Sequence, residues 1–166
     1  MHITLLSILL AIFILFSLYM YMSISDILSY KRKGISFKET LETIGLPIVA
    51  LKVNGRKLNF VLDTGASTCV LNKNSIEGLD YIKLSNEGAL ITRATGNTFD
   101  GPIGLFDLEY SGNIYETKFY INDISAALDE IKKQTGATVD GLIGSDFMSD
   151  NSYIFDFKDY VAYVAK

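Results

Sequence analysis

The run Phe60-Val61-Leu62-Asp63-Thr64-Gly65-Ala66-Ser67 constrains this chain more than any other segment. An apolar stretch of strand type ends there on one carboxylate, and a turn of small residues follows. Glycine beside the acid admits close approach of another group, and hydroxyls on both sides can fix the carboxylate's orientation. Such an arrangement suits proton transfer to and from water. The segment occurs once, so chemistry that needs two carboxylates takes the second from another copy of the same chain.

Composition removes several alternatives. The 166 residues hold one domain with a real core. A net charge of −4 and a pI near 4.9 argue against a nucleic-acid surface, which needs clustered Lys and Arg. Cys69 is the one cysteine, so there is no internal disulfide, and it reads as a small buried apolar residue. His2 is the one histidine, which excludes Ser/His/Asp and Cys/His triads and a His-based zinc site. No GxxxxGK[ST] or GxGxxG loop is present to cradle a nucleotide. Neither a metal nor a cofactor is expected.

From Ile3 to Met22 the chain is apolar apart from Thr4, Ser7 and Ser17, with no charge before Asp26. A helix of that length spans a bilayer core at about 1.5 Å per residue. Twelve of these residues are Leu, Ile or Phe, and their insertion is worth on the order of −5 kcal/mol. Tyr19 and Tyr21 stand where an interfacial belt would fall. A cleaved signal peptide is the alternative, but there is no basic leading region and no A-x-A site. A retained single-pass anchor over residues 1–25 is therefore expected. Lys31, Arg32 and Lys33 follow it and favour a cytoplasmic C-terminal domain.

Residues 26–46 read as a juxtamembrane connector. Ser36-Phe37-Lys38-Glu39 has the form of a capping box, and Gly45 is placed to end the helix. After Pro47, strands are expected over 48–53 and 57–62, joined by the type I′ signal Asn54-Gly55. Asn72 starts a helical turn. Further strands are expected over 89–93, 103–110 and 115–121, a helix capped by Asp123 through Lys133, and a last hairpin over 153–164. Asp100-Gly101 and Asp140-Gly141 read as turn pairs. Gln134-Thr135-Gly136-Ala137-Thr138 echoes the acidic segment with Gln in place of Asp, but the remaining length holds no second lobe. Many short strands with one or two short helices point to a mainly β, closed barrel-like domain over residues 47–166.

At this point the residues carry a likeness. Asp63-Thr64-Gly65-Ala66-Ser67 resembles the D-T-G-A-S signature of retropepsin-like aspartic proteases. Leu142-Ile143-Gly144 looks like that family's hydrophobic-hydrophobic-Gly element, which packs beneath the catalytic loop. The likeness covers roughly residues 47–166 and implies a closed acid-protease-like barrel, half of a pepsin, that works as a homodimer on a peptide or protein substrate. It implies that Asp63 is the catalytic carboxylate and that Thr64 bonds across the dimer axis. Gly65 then admits water and substrate, while Ala66 and Ser67 support the loop, Ser67 through a hydrogen bond to Asp63. Thr95-Gly96-Asn97 falls where the family carries its substrate-covering flap, without the glycine-rich sequence of retroviral flaps. The segment 123–133 is longer than the family's usual connection. A catalytically silent module of the same fold, binding a peptide or partner at the membrane, is the second reading.

Overall fold

A computed structural model of the chain describes residues 10–24, 34–91 and 98–165. It divides into two compact units, Met1–Gly34 and Ile35–Lys166. In the first, residues 10–24 form a helix, α1. Leu10, Ile12, Phe13, Ile14, Leu15 and Phe16 are all exposed, so apolar side chains occupy every face of it. Among the described residues no helix is long and apolar enough to cross a membrane. Residues 3–9 of the expected span lie outside the described residues.

The second unit is built on a hairpin. Strand β2 (Ile48–Val53) and strand β3 (Arg56–Leu62) pair antiparallel through Asn54 and Gly55, whose φ angles are 46° and 81°. Both values are positive, as a type I′ turn requires, and Asn and Gly tolerate them best. The remaining strands of this sheet are β4 (Val70–Asn72), β5 (Ile82–Ile91), β6 (Thr98–Tyr110), β7 (Asn113–Asn122) and β8 (Gly141–Ile143). Their order is β2-β3-β8-β4-β7-β6-β5, and β6 also pairs with β2 through Lys52↔Glu109 and Val53↔Leu108. Six strands therefore close into a barrel, which removes the unpaired edges an open sheet would present. Lys52 Nζ and Glu109 Oε2, 3.1 Å apart, bridge the seam on the exposed side.

The barrel is filled by alternate inward residues. Leu51, Phe60, Leu71, Phe106, Leu108, Tyr110, Phe119 and Ile143 are buried together, and each large side chain contributes about 1.5–3 kcal/mol by leaving water. Phe119 packs between Phe60 and Phe106, with ring centroids 5.7 Å away from it on either side. On the opposite face of the hairpin, Ile48 and Val61 pack with Val139 and with Leu128 of helix α3 (Ser125–Thr135). The expected helix at 123–133 is thus present two residues further on. Its start is bonded by Asp123, whose carboxylate accepts the Ser125 N–H at 3.2 Å. The Gln134 echo ends this helix, with Gly136 at φ 76° as its left-handed cap.

Several expectations are corrected. The compact unit begins at Ile35 rather than at residue 47. Strand β1 (Ile35–Ser36) pairs with β10 (Val161–Val164), which pairs with β9 (Tyr153–Asp156) in a second, three-stranded sheet. Phe37 is only 1% exposed and packs on Phe155, Phe157 and Tyr160. That burial, and not the connector composition, decides where the domain starts. The capping box is not formed, because Ser36 lies in β1 and helix α2 (Lys38–Ile44) begins after Phe37. Gly45 does end α2, at φ 73°. Asp100-Gly101 and Asp140-Gly141 are not turns: Gly101 lies inside β6 and Gly141 opens β8. A Cβ on Gly101 would fall 2.1 Å from the Ile121 carbonyl, and one on Gly141 2.3 Å from that of Val70. Both glycines mark close strand packing rather than reversal of the chain.

Candidate active site

Strand β3 is apolar on both sides, with Phe60 and Leu62 turned to the main core and Val61 to the smaller one. Its last bonds fix where Asp63 emerges. The Leu62 N–H donates to the Pro47 carbonyl at 2.9 Å, and the Asp63 N–H donates to the Ile143 carbonyl at 3.0 Å. Asp63 is half-buried, while Thr64, Gly65 and Ser67 are exposed.

The loop from Asp63 to Cys69 joins two strands that do not touch each other. Strand β8 lies between them, parallel to β3 (Val61↔Leu142) and antiparallel to β4 (Val70↔Leu142). The loop therefore crosses two inter-strand spacings, about 10 Å, over the end of β8. It does so in a tight turn. The Gly65 N–H donates to Asp63 Oδ1 at 2.8 Å, and the Ala66 N–H to the Asp63 carbonyl at 3.2 Å. A Cβ on Gly65 would stand 3.1 Å from that same carboxylate oxygen, so glycine leaves Asp63 its room.

The segment behind the loop is held as closely. The Ser145 N–H donates to the Ala66 carbonyl at 2.8 Å. A Cβ on Gly144 would lie 2.4 Å from both the carbonyl carbon and oxygen of Thr68, so only glycine fits there without displacing backbone. Ile143 and Gly144 thus sit against the loop, and Leu142 packs in the smaller core. Cys69 is buried, as expected, but its surroundings are polar. Its N–H donates to Asp146 Oδ2 at 3.0 Å, its thiol to Asp146 Oδ1 at 3.2 Å, and its sulfur accepts the Gly144 N–H at 3.3 Å. Burial first, and then the Asp146 carboxylate, push the thiol well above its ordinary range, so it is not poised as a nucleophile.

Some expected site residues are not brought together. Among the described residues no hydrogen bond joins Ser67 to Asp63. Thr95, Gly96 and Asn97 lie outside the described residues. The strands on either side of residues 92–97, β5 and β6, are paired up to Ile91↔Thr98. Among the described residues no group of three or more His, Cys, Asp and Glu could hold a metal ion. Asp146 has no local signal in the sequence, since Ser145-Asp146 resembles an ordinary helix start and its partner, Cys69, stands far away in the chain at the end of the acidic loop.

The pattern of the aspartyl protease family matches residues 49–147. No curated protein matches the chain significantly. Among solved structures, EIAV protease complexed with the inhibitor HBY-793 is 20% identical over 63% of this chain and 86% of that one, with a TM-score of 0.44. The retroviral protease-like domain of Ddi1 from Leishmania major is 16% identical over 72% and 93%, at 0.47. A retropepsin-like aspartic protease from Rickettsia conorii is 20% identical over 70% and 78%, at 0.42. With more than half of its length matched, barrel and acidic loop included, the chain belongs to the aspartyl protease family.

Proposed function

We propose that this chain is a retropepsin-like aspartic endopeptidase that becomes active as a homodimer. The observation that carries this reading is the presentation of the acidic loop. It is braced from behind by Ile143, Gly144 and Ser145, and in front Thr64 and Gly65 are exposed beside a half-buried Asp63. One chain supplies one such carboxylate, so a second copy set against this face supplies the other.

Two Asp63 carboxylates brought within a few ångströms cannot both ionise, and they share a proton. The ionised one takes a proton from water as its oxygen attacks the scissile carbonyl carbon. The protonated one gives its proton to the carbonyl oxygen, and a tetrahedral diol forms. Its collapse breaks the C–N bond as the carboxyl proton moves to the leaving nitrogen and a diol hydroxyl gives its proton to the ionised carboxylate, which restores the shared proton. The Gly65 N–H, bonded to Asp63 Oδ1, orients the carboxylate throughout. Thr64 bonds across the two-fold axis, and the tip at 95–97 covers a peptide or protein substrate.

The same proposal places the enzyme at a membrane as a single-pass protein. Helix α1 exposes apolar side chains on every face, and the sequence before it continues the apolar run. Lys31, Arg32 and Lys33, which follow the apolar run, favour the cytoplasmic side for the catalytic unit. Confinement to a bilayer also raises the effective concentration of weakly pairing domains. The second reading, a silent binding module, is disfavoured by the intact Asp63-Thr64-Gly65. Peptide-library cleavage by the purified full chain at mildly acidic pH, wild type against Asp63→Asn, separates the two. Products from the wild type alone support the enzyme, and equal binding without products from either supports the module.

A further inference from the structure

We infer that Asp146 is a positioning residue for the Asp63 loop, acting through a closed ring of hydrogen bonds with Cys69. This rests on the peptidase reading above and deepens it, since that reading assigns Asp146 nothing. The loop is fixed at its start by the Asp63 N–H on Ile143 and at its middle by the Ser145 N–H on Ala66. Its far end has no such backbone bond to the same segment. There the Asp146 carboxylate takes over, with one oxygen on the Cys69 N–H and the other on the Cys69 thiol. The thiol sulfur accepts the Gly144 N–H and so closes the ring back onto the bracing segment.

The chemistry of the ring explains both residue types. Cys69 is fully buried, so its N–H needs an acceptor, and Asp146 Oδ2 supplies it at 3.0 Å. A carboxylate carried on α4 (Ser145–Asp150), the helix that follows β8, reaches it from outside the sheet. Cys69 is at once an N–H donor, an S–H donor and a sulfur acceptor, and Asp146 is an acceptor alone. Beyond the ring, the Cys69 carbonyl accepts the Tyr120 N–H at 3.0 Å, which aligns β4 with β7. The far end of the loop is therefore tied to the barrel wall through Cys69, and the position of Cys69 is set by Asp146. Loss of the carboxylate releases this end while both other braces stay in place. The loop then keeps its turn but not its height above β8, and displacement of about 1 Å at a catalytic group costs on the order of a hundredfold in rate.

The test uses the full chain with two readouts, steady-state peptide cleavage and amide hydrogen exchange of the loop. For Asp146→Ala the expected result is a kcat lower by about a hundredfold with KM within about threefold. Exchange at Asp63, Gly65 and Cys69 rises while that at Ala162 is unchanged. Asp146→Asn keeps one oxygen for the Cys69 N–H and restores kcat to within about tenfold. Cys69→Ala keeps the N–H bond, loses the thiol arm and falls between the two. If Asp146→Ala does not fold, Asp146→Asn and Cys69→Ala carry the same comparison. A folded Asp146→Ala chain with wild-type kcat overturns the assignment, whatever its exchange. If the wild type cleaves nothing, the peptidase reading has failed, and exchange at Gly65 alone decides whether Asp146 positions the loop.

Discussion

The backbone N–H of Asp63 reaches the carbonyl of Ile143 at 3.0 Å, so the acidic loop is seated on a strand made from the far end of the chain. The next residue, Gly144, lies so close to Thr68 that an added Cβ would stand 2.4 Å from its carbonyl. Gly144→Ala forces backbone apart and is expected to cost about 1–3 kcal/mol. Gly65→Ala meets only Asp63 Oδ1, at 3.1 Å, on an exposed turn. It should leave stability within about 1 kcal/mol and lower kcat by disturbing the carboxylate. Urea unfolding and peptide cleavage on both variants check the contrast. Equal stability losses would remove the distinction between seat and site.

A dyad drawn from two chains has a stoichiometric signature. When wild-type and Asp63→Asn full-length chains are mixed in equal amounts and allowed to exchange, half of the dimers carry one carboxylate. Activity should fall to about a quarter of that of the wild type at the same total concentration. Chains acting singly would retain about half. Activity measured across the whole mixing series gives a parabola in the first case and a straight line in the second.

Legibility followed the range of the forces involved. The Asn54-Gly55 hairpin and the turn after Asn72 were readable because they are set by neighbouring residues. The acidic loop was readable because its residue types are unusual together. Insertion of β8 between β3 and β4 left no local trace in its first residue: Asp140-Gly141 looks like a turn pair, and only packing shows that Gly141 is there for close approach. The Asp146–Cys69 pairing was hidden for the same reason. The domain start was misplaced because β1 is two residues long and pairs with the last strand of the chain.

That misplacement yields a test. If Ile35–Ile44 belongs to the compact unit, Phe37→Ala removes a fully buried ring in contact with Phe155, Phe157 and Tyr160. The expected loss is about 3–5 kcal/mol, a large share of the stability of one domain. In a loose connector the same change would do nothing measurable. Thermal unfolding of the full chain distinguishes the two, and a melting temperature equal to that of the wild type would return residues 35–44 to the connector.

Alkaline pH should loosen this fold through groups buried in their neutral forms. Burial raises the Cys69 thiol above its ordinary 9.0, and it raises the hydroxyls of Tyr110 and Tyr153 above 10.0. These two tyrosines also face each other at 2.5 Å. In each case the folded state holds the proton more tightly than the unfolded chain. The stabilisation is therefore complete below the unfolded value and is lost as pH climbs from 9–10 toward the folded one. Each group adds a slope of up to about 1.4 kcal/mol per pH unit in that window. Cys69→Ala should flatten the decline that begins near pH 9, and Tyr153→Phe the part above pH 10. On the acid side Asp123, held down at about 2 first by its bond to Lys73, gives its stabilisation above 3.8 and loses it as pH falls toward 2. Because Asp123 is exposed, that limb should be shallow and weakened by salt. Urea midpoints between pH 7 and 11 read the alkaline limb, and an unaltered slope in Cys69→Ala would mean that its thiol is not held neutral by the fold.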